Sequence, residues 1–166
     1  MDLDTLNVAA ADAAMLDLLA CCASERWAAA MIDERPFVTP DDMLTAASDI
    51  WWTLEEEDWL QAFAAHPRIG EQSPGNDRHS TWSRTEQAAT TSATDDVREA
   101  LAMCNRDYET TFGHVYLVFA SGRTADELLT ECRERLTNDP EEELLKAAEE
   151  QMRITEARLK KLLEID

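Results

Sequence analysis

The chain has 166 residues, 45% of them hydrophobic, and a formal net charge of −20 from 15 basic and 35 acidic side chains. This length and composition indicate one domain, residues 1–166, with a real core, and exclude a disordered acidic tail. The acidic balance argues against nucleic acid and anionic membrane surfaces as partners, because both attract clustered positive charge.

Helical periodicity runs between a few clusters of glycine and proline. In chain order, the pattern predicts helices over about 8–22, 24–34, 40 onward, 55–65, 83–92, 95–112, 125 onward and 140–164. The first of these takes its apolar face from Met15, Leu16, Leu18 and Leu19. Thr39 and Thr124 are expected N-caps, because a threonine hydroxyl accepts a backbone N–H and acidic residues follow in the first turn.

Two stretches interrupt this pattern. Residues 66–82 are rich in proline and glycine and predict a loop of about 17 residues; such long loops are usually functional or disordered. Residues 114–120 are β-branched and aromatic, and form either a lone extended segment or a buried helical turn, since no second strand pattern exists to pair with them. The sequence therefore predicts an all-α, single compact domain of about eight helices.

The four cysteines are Cys21, Cys22, Cys104 and Cys132. They do not form a Cys-x-x-Cys motif or a zinc-binding spacing. We expect them to be small buried hydrophobic residues of an intracellular protein.

His66 ends a predicted helix and precedes Pro67 and the Gly70 loop. This position can present an imidazole to a cavity, and an ordinary histidine pKa near ~6.5 suits proton transfer at neutral pH. The structural alternative is a histidine that interacts with the helix dipole. His79 and His114 lack partners at ligand spacing and are interpreted as structural or surface residues.

The segment Ser83-Arg84-Thr85-Glu86-Gln87 also has two interpretations. Ser-x-x-Glu is a capping box, in which Ser83 caps the helix and Glu86 reaches back. Alternatively, the first turn of that helix offers free N–H groups to an anion. Ser83, Glu86 and Gln87 then add a hydroxyl, a carboxylate and an amide in the same small volume.

Arg158 lies in the last predicted helix, about 60° from the centre of its apolar stripe at 100° per residue. It is therefore at the edge of the buried face. Most arginines in such positions extend to solvent, and a minority reach into a cavity to bind a carboxylate.

Together these residues resemble the 2-oxo-4-hydroxy-4-carboxy-5-ureidoimidazoline (OHCU) decarboxylases of uric acid degradation. The resemblance covers nearly the whole chain. Its most specific part is His66-Pro67-Arg68-Ile69-Gly70, followed by Ser83-Arg84-Thr85-Glu86-Gln87 at this distance in an all-helical chain. Further matching segments are Cys21-Cys22, Arg26-Trp27, Arg35-Pro36-Phe37, Phe112-Gly113, Gly122-Arg123 and Arg158-Leu159.

The resemblance implies a homodimeric all-α enzyme without metal or organic cofactor. It implies that His66 is the catalytic acid/base and proton donor, with Glu86 and Arg158 as essential partners. The substrate-binding residues that it implies are Pro67, Ser83, Arg84, Thr85, Glu86, Gln87, Tyr116, Leu117, Val118, Phe119 and Ala120. The expected reaction is decarboxylation of a small anionic substrate to (S)-allantoin, and the cations that offset its charge are expected to be Arg158 with Arg68 or Arg84.

Two other functions remain open at this point. One is a non-enzymatic acidic helical module that binds a basic partner, with His66 and Glu86 as plain capping residues. The other is a hydrolase of a related ureide that activates water with His66 and Glu86. The N-terminus lacks the positive segment of a signal peptide, no apolar run has the ~18 residues that span a bilayer, and the C-terminus lacks a peroxisomal signal, so we expect a cytoplasmic protein without membrane contacts.

Overall fold

The structure is a computed structural model that describes residues 1–71 and 77–165. Over these residues it contains nine α-helices, one short 3-10 helix at Ala88–Ser92 and no strand. The helices are α1 (Leu3–Val8), α2 (Ala11–Cys21), α3 (Glu25–Asp33), α4 (Pro40–Thr53), α5 (Glu56–Ala64), α6 (Arg78–Glu86), α7 (Asp95–Phe112), α8 (Ala125–Arg135) and α9 (Pro140–Leu163). The prediction of an all-α fold is confirmed, with α1 as the additional helix.

The chain divides into two compact units. Unit 1 is Met1–Ala62 with Met152–Asp166, and unit 2 is Phe63–Gln151. The prediction of a single domain over 1–166 stays a prediction. Across residues 1–71 and 77–165, no helix is both long enough and apolar enough to cross a membrane.

Unit 1 begins with two helices where the sequence predicted one. Asp2 caps α1 by accepting from the Thr5 N–H at 2.8 Å, and α2 starts only at Ala11. Leu18 is buried as expected, whereas Leu16 is 72% exposed, so its place on the predicted apolar face was wrong. A run of apolar residues at successive positions cannot all face one side of a helix, because each residue turns by about 100°.

The start of α4 agrees with its sequence signal. The Thr39 hydroxyl accepts from the Asp42 N–H, the Asp42 carboxylate accepts from the Thr39 N–H, and Pro40 occupies the first turn. Met43, Ala47 and Trp51 follow at intervals of four and form its buried face. The indole of Trp27 in α3 donates to the Ala47 carbonyl at 3.0 Å.

In unit 2, α7 and α8 pack around a common core and are joined by a disulfide between Cys104 and Cys132. These two cysteines are buried, as expected, but they are bonded to each other, which the prediction of small buried hydrophobic residues did not include. Their separation of 28 residues carries no local signal, and only the packing of the two helices brings the sulfur atoms together. Cys21 and Cys22 in unit 1 are buried thiols.

Helix α6 begins earlier than the sequence predicted. Asp77 is its N-cap and accepts from the Ser80 N–H at 2.9 Å, so the helix starts at Arg78 within the predicted 66–82 loop. The part of that predicted loop at 72–76 lies outside the described residues. The buried residues of α6 are Ser80, Ser83 and Glu86, which gives the helix a polar buried face that hydrophobic periodicity cannot detect.

Candidate active site

His66 lies two residues after Ala64, the last residue of α5, near the predicted helix end, and is half-buried. Its backbone N–H donates to the Phe63 carbonyl at 3.0 Å. Its ring Nε2 lies 2.9 Å from the side-chain oxygen of Gln151 in α9, and its ring centroid is 5.4 Å from that of His79. The sequence predicted the helix end but missed both side-chain neighbours, which are distant in the chain.

Arg68, in the turn after His66, stabilises this loop through two carboxylates. Its Nε and Nη2 atoms donate to the two oxygens of Glu109 at 2.9 Å each, and Nη1 lies 3.5 Å from Glu71. The hydrogen bonds and charge of Glu109, with the nearby charge of Glu71, raise the pKa of Arg68 above its usual range. The guanidinium of Arg68 is thus engaged in ion pairs within the loop.

Two amide side chains hold the next residues of the loop. Asn105 donates to the Ile69 carbonyl at 2.8 Å, and the Gly70 N–H donates to the Gln87 side-chain oxygen at 2.9 Å. Gly70 has φ +87°, in the left-handed region that residues with a Cβ rarely adopt. Gln87 thereby connects the loop that carries His66 to the end of α6.

The Ser83–Gln87 segment lies at the C-terminal end of α6, so its interpretation as a capping box or as a first-turn anion site was wrong. The Ser83 and Glu86 side chains are 2% and 8% exposed. Thr85 faces solvent, and its hydroxyl donates to the Thr81 carbonyl at 3.1 Å. Burial of Glu86 in the last turn keeps a carboxylate in the interior of unit 2.

A cavity of about 240 Å³ opens beside this segment. It is lined by Gly70, Glu71, Arg84, Gln87, Thr90, Thr91 and Arg98. Two arginines outnumber the single carboxylate, Glu71, and with an amide and two hydroxyl groups they suit a small anion. Sequence reasoning found Arg84 and Gln87 but missed Arg98, which lies in α7 without a motif around it.

Residues 116–120 belong to neither a helix nor a strand, which rules out the buried helical turn as one of the two expected forms. The Tyr116, Leu117, Val118 and Ala120 side chains are at most 4% exposed. The Tyr116 hydroxyl donates to the Leu128 carbonyl at 3.0 Å, and the Phe119 N–H donates to the Glu150 carboxylate at 2.7 Å. These hydrogen bonds hold the segment in place without pairing to a strand.

A buried ionic network supports the same segment, and sequence reasoning missed it. Arg135 donates to the Leu117 carbonyl from Nη1 at 2.8 Å and to Glu143 from Nε at 2.7 Å. The Tyr108 hydroxyl also donates to Glu143. Burial raises the pKa of Tyr108 above its usual range. Burial lowers the pKa of Arg135, but the hydrogen bond and charge of Glu143 have the larger combined effect and raise it overall.

Arg158 belongs to unit 1, in the C-terminal part of α9. The prediction placed it at the edge of the buried face; its exposure is 0%, and Nη1 lies 3.4 Å from the Ala20 carbonyl. It does not extend to solvent. Burial raises the pKa of neighbouring Cys22 to about 12, while the charge of Arg158 acts in the opposite direction.

The two other histidines differ in their surroundings. His114 packs among Phe63, Tyr108 and Phe112, which agrees with a structural role. His79, also expected to be structural, contacts the His66 ring. Within residues 1–71 and 77–165, no group of three or more His, Cys, Asp or Glu side chains is arranged to hold a metal ion.

Comparison with known proteins identifies the class. The family model described as OHCU decarboxylase matches residues 7–160, and the chain belongs to this family of carboxy-lyases. The chain is 41% identical over 149 residues to "Uric acid degradation bifunctional protein TTL" of Arabidopsis thaliana, covering 86% of this chain and 45% of that protein. It is 25% identical over 130 residues to "Uric acid degradation bifunctional protein" of Bacillus sp. (strain TB-90), covering 77% and 25%. The chain thus spans less than half of the length of these relatives.

Two solved structures share the fold. A "Crystal structure of OHCU decarboxylase in the presence of (S)-allantoin" matches with a TM-score of 0.78 and 35% identity, covering 90% of this chain and 98% of that one. A "Crystal structure of (S)-allantoin synthase" matches with a TM-score of 0.75 and 18% identity, covering 98% and 54%, and supports the fold alone.

Proposed function

We propose that this chain decarboxylates 2-oxo-4-hydroxy-4-carboxy-5-ureidoimidazoline to (S)-allantoin, with His66 as the proton donor. The observation that carries the proposal is the position of His66 in a chain of the OHCU decarboxylase family. Its imidazole lies at a helix end, is half-buried, and is held through Nε2 by Gln151 at 2.9 Å. A histidine in this setting is oriented for proton transfer near neutral pH.

The reaction needs no external electron sink. When the C–C bond to the carboxylate breaks, CO₂ leaves and the electron pair moves towards the adjacent imine, giving an enamine-like anion. A proton is then delivered to the carbon that bears the ureido group. The hydroxyl proton moves to the former imine nitrogen, and the hydroxyl-bearing carbon becomes the carbonyl of allantoin. Delivery from one face sets the (S) configuration, so the protein must supply orientation, charge placement and one proton.

Glu86 and Arg158 are proposed as the partners of His66. Glu86 is a buried carboxylate that can accept hydrogen bonds from the hydroxyl and ureido N–H groups of the substrate. Arg158 supplies a fully buried cation for the substrate carboxylate, which a chain of net charge −20 must attract locally. Arg84 is the second proposed cation, since it lines a cavity and Arg68 is engaged by Glu109 and Glu71.

The remaining proposed substrate contacts are Pro67, the Ser83–Gln87 turn and the 116–120 segment. In that segment most side chains are buried, so we propose that its backbone groups, together with the half-buried Phe119, face the substrate. A homodimer is proposed on the family resemblance, and a cytoplasmic location is proposed separately from it. Light scattering and cell fractionation test the two parts separately.

The deciding experiment supplies freshly generated substrate and follows allantoin by circular dichroism and CO₂ release. The spontaneous reaction gives racemic allantoin, so we expect faster decay, release of CO₂ and one enantiomer, with activity retained after chelator treatment. His66→Asn should lower turnover by ~10²–10⁴. Product without CO₂ would indicate the hydrolase, and an inactive wild-type protein that binds basic partners would indicate the acidic module. Activity that is lost with chelator and restored by a metal would contradict the absence of a cofactor.

A further inference from the structure

Gln151 places a buried amide against the proposed proton donor. Its side chain is 0% exposed, and its Oε1 atom lies 2.9 Å from Nε2 of His66, 85 residues away in the chain. Burial of a polar group without a partner is unfavourable, so a buried amide is expected to form specific hydrogen bonds. This contact joins α9 to the loop after α5.

The same part of α9 also holds the 116–120 segment. Glu143 binds Arg135, which donates to the Leu117 carbonyl, and Glu150 accepts from the Phe119 N–H at 2.7 Å. Positions 143 and 150 are seven residues apart and share one face of the helix, and Gln151 follows directly. One helix thus orients both His66 and the neighbouring segment within unit 2.

The hydrogen bond to Gln151 determines which ring nitrogen of His66 can exchange a proton. An amide oxygen only accepts hydrogen bonds, so Nε2 carries its hydrogen in both the neutral and the protonated ring. The exchangeable proton is therefore on Nδ1. The amide is also uncharged, so it fixes the ring without the charge stabilisation that a carboxylate gives to an imidazolium.

We infer that Gln151 is the positioning residue of His66, which it holds with Nε2 protonated so that Nδ1 delivers the proton. The inference rests on the proposed function, because His66 must be the donor. In the step itself, the Nδ1–H bond of the imidazolium breaks and a C–H bond forms at the carbon bearing the ureido group. His66 is left as the neutral Nε2–H tautomer and regains a proton from solvent.

The first test observes the tautomer without any reaction. Long-range ¹H–¹⁵N spectra of the His66 ring should show the Nε2–H tautomer in the wild-type protein and a mixture in Gln151→Leu. The matched control is Gln61→Leu, which removes an amide that accepts from the Glu25 N–H at 2.9 Å in unit 1. The control should leave the His66 spectrum unchanged. A wild-type ring without the Nε2–H tautomer would overturn the inference.

The second test measures kinetics. Gln151→Leu should lower kcat by about 10²-fold with little change in KM, since a misplaced catalytic group costs about that much. Gln151→Glu keeps an acceptor oxygen, so it should restore part of kcat, while its charge should raise the pKa of His66 by about 1–3. The ring signals of His66 report the pKa of this ring directly. They distinguish its titration from that of the neighbouring His79 ring. They also distinguish it from the titration of Glu150, which accepts from the Phe119 N–H and pairs with Lys146.

The outcomes separate the inference from the proposed function. If His66→Asn abolishes turnover while Gln151→Leu keeps wild-type kcat and tautomer, the inference is wrong and the function stands. If Gln151→Leu changes the tautomer but His66→Asn turns over normally, the proposed donor is wrong. Thermal unfolding of Gln151→Leu should remain near wild type, because an apolar side chain of similar size replaces the amide.

Discussion

Arg135 and Glu143 form an ion pair in which both side chains are nearly inaccessible to solvent, with 5% and 0% exposure. Arg135 Nε donates to Glu143 at 2.7 Å, and its Nη1 donates to the Leu117 carbonyl at 2.8 Å. Asn138 donates to the other Glu143 oxygen at 2.9 Å. The pair therefore connects α8 and α9 to the segment at 116–120.

Removal of one charge of this pair should lower the free energy of unfolding. Glu143→Gln removes the buried counter-charge of Arg135 and leaves only the Glu131 carboxylate, 3.5 Å from Nη1. We expect a loss of ~3–5 kcal/mol in the free energy of unfolding, measured with urea. Glu156→Gln makes the same exchange in the exposed pair with Lys160 and should cost ~1 kcal/mol or less. Equal losses in the two variants would show that burial does not determine the contribution of the pair.

Glu86→Gln tests a carboxylate at the C-terminal end of α6. The exchange keeps size and one acceptor oxygen, so the melting temperature should stay near wild type, while turnover should fall by ~10²–10⁴. Glu99→Gln, at an exposed position in α7, is the control and should retain turnover. Normal turnover in Glu86→Gln would leave the buried carboxylate with a structural role only.

Arg158→Lys keeps a positive charge but removes the planar guanidinium. Because a hydrogen bond to a charged group contributes ~1.5–3 kcal/mol, KM should rise about tenfold or more. The helix should remain intact by circular dichroism, since lysine is a good helix former. An unchanged KM would remove Arg158 from the proposed substrate site.

Thiol titration tests the four cysteines. The native protein should react slowly, because Cys21 and Cys22 are buried and burial raises the pKa of Cys22 to about 12. Unfolding without reductant should expose two thiols per chain, and unfolding after reduction should expose four, since Cys104 and Cys132 are paired. Reduction should also lower stability by ~3–4 kcal/mol, the loop-closure effect of a 28-residue separation. Four thiols without reductant would contradict the disulfide.

The sequence alone determined the elements whose signals are local. Thr39 and Thr124 were predicted as caps and form capping boxes, because the interacting groups lie within four residues of each other. The end of α5 before His66 and Pro67 was predicted for the same reason: proline restricts the residue before it whatever the tertiary context. The motifs around His66 and Ser83 were sufficient to identify the family.

Only the tertiary structure decided where α6 begins. Ser83 with Glu86 and Asp77 with Ser80 are both plausible local caps, and the packing that buries Ser80, Ser83 and Glu86 selects Asp77. The partners of the functional groups were likewise not predictable. Gln151 lies 85 residues from His66, and Glu150 lies 31 residues from Phe119. Hydrogen bonds and burial depend on distances in space, which a local sequence pattern does not contain.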